Sequence, residues 1–414
     1  HLAENLRLPI LAAAPCTHAR RDQFPAQDVL LCAHTLCRVE EVLGRKDPRA
    51  PGQPEVARTP ERFLNAERFL LSSAEFHERY QDHPEWISAG LELAGKCDAD
   101  VLPGRAPMPS LYEDDPHALR EIVLQGALAR YPRFERNLKR RIEMELNRIV
   151  ELGFSSHFLV AHDFCRWSEE QGIQFSGRGS VVDSVVAFCL GFSRIDAHAH
   201  RLHFDRFLPA DGSKLPDIDI DFEAHRRDDV RNYVTRKYGK DRTATVAAVG
   251  AYMTRGIIRE VGKAMGLNGD AIGFLAKRLH GSVSADQMES AIERKPELRN
   301  SGIPTERFRW VFQLAKDLMD IPRNIRCHSS GVVVSSEPLA DYVPLMGSAS
   351  PGLEEGEDLR ILQWDKRSAK HCFDKFDILC LRGQDVLSGV QSRVRETRKE
   401  FDVQAVPIDD PETF

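Results

Sequence analysis

Leu215-Pro-Asp-Ile-Asp-Ile-Asp-Phe222 is the stretch on which the reading of this chain turns. Acidic and apolar residues alternate through it, the period of a β-strand with one face in a core. Asp217, Asp219 and Asp221 therefore share one face, while Ile218, Ile220 and Phe222 take the other. Three adjacent carboxylates repel one another, and a fold keeps them only where positive charge compensates. Hard divalent cations supply such charge, and a pair of them suits phosphoryl transfer. An exposed acidic edge strand or a calcium site would share this spacing. Pro216 at the strand start and the large flanking apolar residues favour a buried strand.

Upstream lies Phe175-Ser-Gly-Arg-Gly-Ser180, then an apolar stretch from Val181 to Leu190 that reads as a helix closed by Gly191. Backbone amides of Gly177–Ser180 and the following helix N-terminus would make an anion site. Arg178 adds a charge-assisted contact, and Ser180 is expected to cap the helix. The loop lacks the spacing and lysine of a P-loop and the third glycine of a dinucleotide fingerprint. By itself it is equally a turn with a serine cap. The order glycine–serine loop, helix, Asp-x-Asp strand resembles that of polymerase-beta-like nucleotidyltransferases.

Working outward, Leu138, Ile142, Leu146, Ile149 and Val150 recur at helical spacing between Pro132 and Gly153. Helices are expected around Asp28–Leu43, Ala66–Tyr80, Arg226–Tyr238, Thr254–Leu279 and Glu306–Asp320, and strands at Gly331–Ser335 and Lys375–Leu379. Pro48 to Pro60 reads as a linker, and Met346 to Asp358 as a loop. The 414 residues exceed one ordinary domain. With 42% hydrophobic and 29% charged residues the composition is globular, and no apolar run or signal pattern addresses a membrane. Nine cysteines without disulfide-framework spacing suit a reducing cytoplasm, which is the expected location. The net charge of -6 excludes a uniformly DNA-coating protein but not a local basic cleft. The chain starts at His1 and its last residues, Ile408–Phe414, read as the start of an element, so a fragment of a longer protein is expected.

Nine ordered segments resemble the C-family of bacterial DNA polymerases, the DNA polymerase III alpha subunit and its error-prone relatives. They are Glu135-Arg-Asn-Leu-Lys-Arg-Arg141 through Leu152-Gly-Phe154, Gly177–Ser180, His203-Phe-Asp-Arg-Phe-Leu208, Pro216–Phe222 and Arg226-Arg-Asp-Asp-Val230. Tyr238-Gly-Lys-Asp-Arg242, His328-Ser-Ser-Gly-Val-Val-Val334, Gln363-Trp-Asp-Lys366 and Lys375-Phe-Asp-Ile-Leu379 complete the series. The resemblance implies an α+β fold: a polymerase-beta-like nucleotidyltransferase palm, a mixed sheet with helices, carrying an inserted helical thumb. A partial polymerase-and-histidinol-phosphatase domain would precede it. Implied bounds are 1–86 for that remnant and its linker, 87–248 and 327–382 for the palm, 249–326 for the thumb and 383–414 for the start of the fingers.

By the same resemblance Asp217, Asp219 and Asp377 are catalytic ligands of two Mg2+ ions, with Asp221 as a further candidate ligand. Arg178, Gly179, Ser180, Arg206 and Lys375 would contact the incoming deoxynucleoside triphosphate, with His328 and Lys366 as neighbours. Without the resemblance, Asp377 reads as a salt-bridge partner of Lys375 or Arg382. The implied partners are primer-template DNA and deoxynucleoside triphosphates, with a sliding clamp or other replication and repair proteins engaged through other regions. Three places depart from the family pattern: Val181-Val-Asp183 after the loop serine, Ser330 in place of a glycine, and Cys380 in place of another. Ala14-Pro-Cys-Thr-His18 lacks the family's Asp-x-His metal pair, so no phosphoesterase activity is expected. Phe222-Glu223 with the paired arginines, Cys189-Leu-Gly191 and Gln363–Lys366 look like the error-prone branch, whereas Lys375–Leu379 looks replicative.

Cys16-Thr-His18 and Cys32-Ala-His34-Thr-Leu-Cys37 have zinc-ligand types, but buried free cysteines on a helix explain them as well. Arg226, Arg227, Arg231 and Lys237 belong to a basic stretch just after the acidic strand and are candidates for DNA phosphate contacts; the competing reading is a solvated helix face. Two other functions remain open at this level: a template-independent nucleotidyltransferase, and a truncated, inactive DNA-binding fragment.

Overall fold

The acidic strand is one of seven in a mixed sheet, as the computed structural model of the chain shows. The structure describes residues 5–6, 8–42, 65–98, 100–279, 283–348 and 360–406. The linker at 48–60, most of the expected loop up to 358 and the segment 408–414 lie outside the described residues. The strands are β1 (Phe175–Arg178), β2 (Ile218–Glu223), β3 (Thr243–Ala251), β4 (Pro322–Val334), β5 (Leu345–Gly347), β6 (Arg360–Asp365) and β7 (Lys375–Leu381). Their spatial order is β1-β2-β7-β4-β3-β6-β5. β1 runs antiparallel to β2, β2 parallel to β7, and β7 antiparallel to β4. The fold is thus α+β with a mixed sheet.

The chain divides into two units, one of residues 1–101 and 250–324, the other of residues 102–249 and 325–414. In the first, Ile257, Ile258 and Val261 of helix Thr254–Ala264 pack with Leu275, Val311, Phe312 and Cys32 in one core. The stretch Thr254–Leu279, expected to be helical, holds two helices, Thr254–Ala264 and Gly269–Arg278. Gly266 sits between them at φ +70 and ends the first, the conformation in which a side chain is strained.

The second unit carries the sheet. Helix Arg136–Glu151 buries Leu138, Ile142, Leu146 and Ile149, the stripe expected from its spacing. Helix Ser155–Glu170, which periodicity did not reveal, buries Phe158, Leu159, Val160, Ala161, Phe164 and Cys165. Its buried positions also include the polar residues Ser155, His157, Asp163 and Ser168, which blur any amphipathic stripe. Its Phe164 meets Phe222 of β2 and Phe376 of β7, with ring centroids 6.3 and 5.5 Å apart. Those contacts hold the two acid-bearing strands from behind.

Three local expectations are corrected. The helix read from Val181 to Leu190 is a 3-10 turn, Gly179–Asp183, followed by a short α-helix, Val185–Cys189. Its cap is Ser184, whose Oγ accepts the Ala187 N–H at 3.1 Å, and not Ser180. Buried Glu145 on the neighbouring helix imposes this start: its carboxylate accepts from Ser184 Oγ at 2.8 Å and from the Val186 N–H at 3.1 Å. Met346 and Gly347, expected in a loop, belong to β5 because Leu345–Gly347 pairs with β6. Gly177 and Arg178, expected in a loop, close β1 opposite Ile220 and Asp219. No described helix is long and apolar enough to cross a membrane.

Candidate active site

β2 sits between β1 and β7, and this placement builds the site. Parallel pairing sets Asp219 directly beside Asp377, while antiparallel pairing sets Arg178 on the other side of Asp219. Asp217 lies one residue before β2. Asp217, Asp219 and Asp377 each present an oxygen within 4.8 Å of the others. Asp221 points along the same strand but is buried, with Arg178 Nη1 at 3.7 Å, and stands apart from that trio.

Like charge so concentrated must be relieved within the fold. Burial, the Asp217 charge and a hydrogen bond with Asp377 push Asp219 up to about 7, so it gives up its proton only as the solution reaches neutrality. Burial pushes Asp377 the same way, but the bond from the Lys375 ammonium outweighs it and leaves Asp377 below the usual carboxylate range. Lys375 Nζ donates to Asp377 and, at 2.9 Å, to Asp217 Oδ1. Burial would lower this lysine, yet the two carboxylates keep it raised and charged. Ser330 Oγ donates to Asp377 Oδ1 at 3.0 Å, and Lys366 Nζ stands 3.9 Å from Oδ2. His328 accepts the Gly331 N–H at 3.0 Å through Nδ1, and burial first, then Lys366 and Lys375, hold its ring below the usual histidine range.

The turn beside the trio depends on one glycine. Gly179 has φ +69, and a Cβ there would lie 3.4 Å from Asp219 Oδ2. A side chain would thus meet both backbone strain and the carboxylate. Arg178 is half-exposed, and exposed Arg206 stands 3.5 Å from buried Asp183, whose Oδ2 has no hydrogen-bond partner. The unusual Val-Val-Asp sequence therefore brings a buried carboxylate to the arginine expected to meet phosphate.

The structure distributes the expected residues unevenly. Asp217, Asp219, Asp377 and Lys375 come together, with Gly179 and Arg178 beside Asp219. The basic stretch is not a row of free cations. Arg226 Nε donates to Asp229 at 2.6 Å, and Arg227 Nη1 to the Ser329 carbonyl at 2.6 Å. Arg231 is buried against Thr245, and Lys237 pairs with Asp163. Sequence reading missed Lys214 and Lys370, which line a cavity of about 270 Å3 with Asp217, Asp374 and Lys375. Lone lysines in loops give no periodic signal that could have found them. It also missed His225, which bridges Glu223 at 3.4 Å and Asp385 at 2.7 Å at the far end of β2.

A mixed sheet brings three carboxylates together, two of them shared with a lysine, in a cluster whose oxygens could hold a metal ion. The chain belongs to the family of the bacterial DNA polymerase III alpha NTPase domain, whose profile matches residues 117–380. It is 35% identical to an error-prone DNA polymerase of Symbiobacterium thermophilum, across 100% of this chain and 36% of that protein. It is 31% identical to DNA polymerase III subunit alpha of Bacillus subtilis, across 82% of this chain and 30% of that protein. An error-prone DNA polymerase of Pseudomonas fluorescens is also 31% identical, with 100% and 38% covered. The chain thus spans about a third of the length of these curated relatives.

Proposed function

We propose that this chain is the catalytic core of a template-directed DNA polymerase, adding deoxynucleoside triphosphates to a primer 3′-hydroxyl. The observation that carries the reading is the strand register that sets Asp219 beside Asp377, with Asp217 within reach of both. In this reading residues 87–248 and 327–382 act as the palm, 249–326 as the thumb, 1–86 as a phosphatase-domain remnant with its linker, and 383–414 as the start of the fingers. Family membership and the names of the relatives support it. The error-prone relatives aligned across the whole chain favour that branch over the replicative one.

The donor set fits a pair of Mg2+ ions. All three ligands offer carboxylate oxygens, and the Lys375 ammonium already occupies a cation's place between two of them. Bound Mg2+ would activate the primer hydroxyl and neutralise charge on the leaving pyrophosphate. Asp217, Asp219 and Asp377 would hold it, with Asp219 releasing its proton. Lys375, freed from Asp217, would turn to the triphosphate, joined by Arg178, Gly179, Ser180 and Arg206. Arg226 and Arg227, at the surface end of their helix, would be the contacts to DNA phosphate in this segment.

The test is primer extension by the full-length protein carrying this chain. Asp219→Asn and Asp377→Asn should each slow extension about a thousandfold, the equivalent of roughly 4 kcal/mol of lost charge stabilisation. Unchanged extension by Asp219→Asn would overturn the assignment. Extension that needs no template would redirect it to a template-independent transferase, and DNA binding without incorporation would leave a binding module.

A further inference from the structure

Away from the carboxylate trio, a cavity of about 530 Å3 opens along the edge strand β1, walled by Arg130, Arg194, Phe175, Phe188 and Gln384. Two guanidiniums lie against aromatic rings there: Arg130 over Phe188 at 5.0 Å and Arg194 over Phe175 at 4.8 Å. Stacking fixes each plane and directs its N–H groups edgewise. Arg194 is held loosely, its Nε donating to the Phe175 carbonyl at 3.5 Å and its Nη2 standing 3.6 Å from Glu169, and among the described residues Arg130 has no ion pair or hydrogen bond. Burial and the neighbouring Arg194 charge push Arg130 below the usual guanidinium range. Two neighbouring guanidiniums with only the loosely placed Glu169 to offset them are costly unless an anion joins them. Gln384 strengthens the case. It is only 7% exposed, lines the cavity, and its amide has no hydrogen-bond partner among the described residues. Asp402 adds one carboxylate to the wall against the two cations.

We propose that this cavity is a second phosphate-binding site, seating a phosphate of a nucleotide or of a polynucleotide strand between Arg130 and Arg194. The Gln384 amide completes the donors, while Ser176, whose hydroxyl donates to the Gly177 carbonyl at 3.2 Å, lines the wall. The volume is of the size that ligand pockets have, and the paired arginine forks match the planar geometry of phosphate oxygens. Ser176 stands two residues before Arg178 on the same face of β1. A strand whose phosphate sits here would therefore run beside, and not through, the carboxylate trio.

The site is tested on the intact chain in EDTA, where the metal centre plays no part, by anisotropy of a short fluorescein-labelled oligothymidylate. Arg130→Ala should weaken binding about tenfold and lower the salt slope by about one. Gln384→Glu, which keeps both arginine stacks, should weaken it as strongly without lowering the melting temperature. Wild-type affinity in both variants would overturn the proposal. Competition by dAMP would identify a mononucleotide seat, and binding of the strand alone a backbone contact; either upholds a phosphate site. This proposal rests on the polymerase reading only for its ligand class, and its readout is strand binding without metal, which primer extension by Asp219→Asn does not measure, so the two failures are distinguishable.

Discussion

Replacing Asp219 by asparagine should make the metal-free protein more stable while abolishing its proposed chemistry. The carboxyl has its pKa raised from 3.8 to about 7, by burial, by Asp217 and by the hydrogen bond with Asp377. At about 1.4 kcal/mol per tenfold change in proton affinity, the upper bound on the cost of ionising it in the fold is about 4 kcal/mol. Asp219 is only half-buried, and solvent screening reduces that to roughly 2 kcal/mol. The sign follows from proton counting. Below about pH 4 the group is protonated in both states and adds no penalty; between about pH 4 and 7 the unfolded chain gives up its proton first, so stability falls as pH rises. Asparagine has no such loss and can still donate to Asp377. Its advantage should be absent near pH 4 and reach roughly 4–8 °C in melting temperature above pH 7, for a unit of about two hundred residues. Thermal melts in EDTA across that range measure it. Mg2+ should reverse the order, because the wild type binds it better. Equal melting temperatures at pH 8, or an advantage that does not change with pH, would refute the reasoning.

Two further outcomes follow from the same neighbourhood. His157 is buried against Phe376 with neither ring nitrogen hydrogen-bonded, and burial lowers it to about 4. Its neutral ring therefore contributes stability above about pH 6.5 that is lost as pH falls towards 4, up to about 3 kcal/mol, and His157→Phe should flatten the acid limb of the stability curve. Lys375→Met removes the ammonium between Asp217 and Asp377, and leaving those carboxylates uncompensated should cost about 3–5 kcal/mol in EDTA. Mg2+ should recover much of that loss in a thermal melt; a melting temperature unaffected in EDTA would show that the lysine does not hold the acids.

Strand and helix periodicities were legible where one face is buried and the other is not. Leu138, Ile142, Leu146 and Ile149 form such a stripe, and helix Arg136–Glu151 follows it. Helix Ser155–Glu170 was illegible because it buries polar residues, Ser155, His157, Asp163 and Ser168, among its apolar ones, so polarity and burial do not alternate with one period. The cap at Ser184 was misread as Ser180 because either serine suits the local pattern. Glu145, 39 residues away in sequence, selects between them by accepting from Ser184 Oγ.

The acidic strand by itself determined that three carboxylates share a face and that positive charge must answer them, because side-chain direction along a strand follows from the backbone alone. Only the tertiary structure decided which acids act together. Register across β2 and β7 sets Asp377 against Asp219, while Asp221, identical in spacing, is drawn towards Arg178 and away from the trio. Lys375 likewise becomes the cation between Asp217 and Asp377, and Arg130 and Arg194 meet across 64 positions of chain at one cavity. Such pairings depend on how strands and helices distant in sequence are brought together, and no local pattern of residues carries that information.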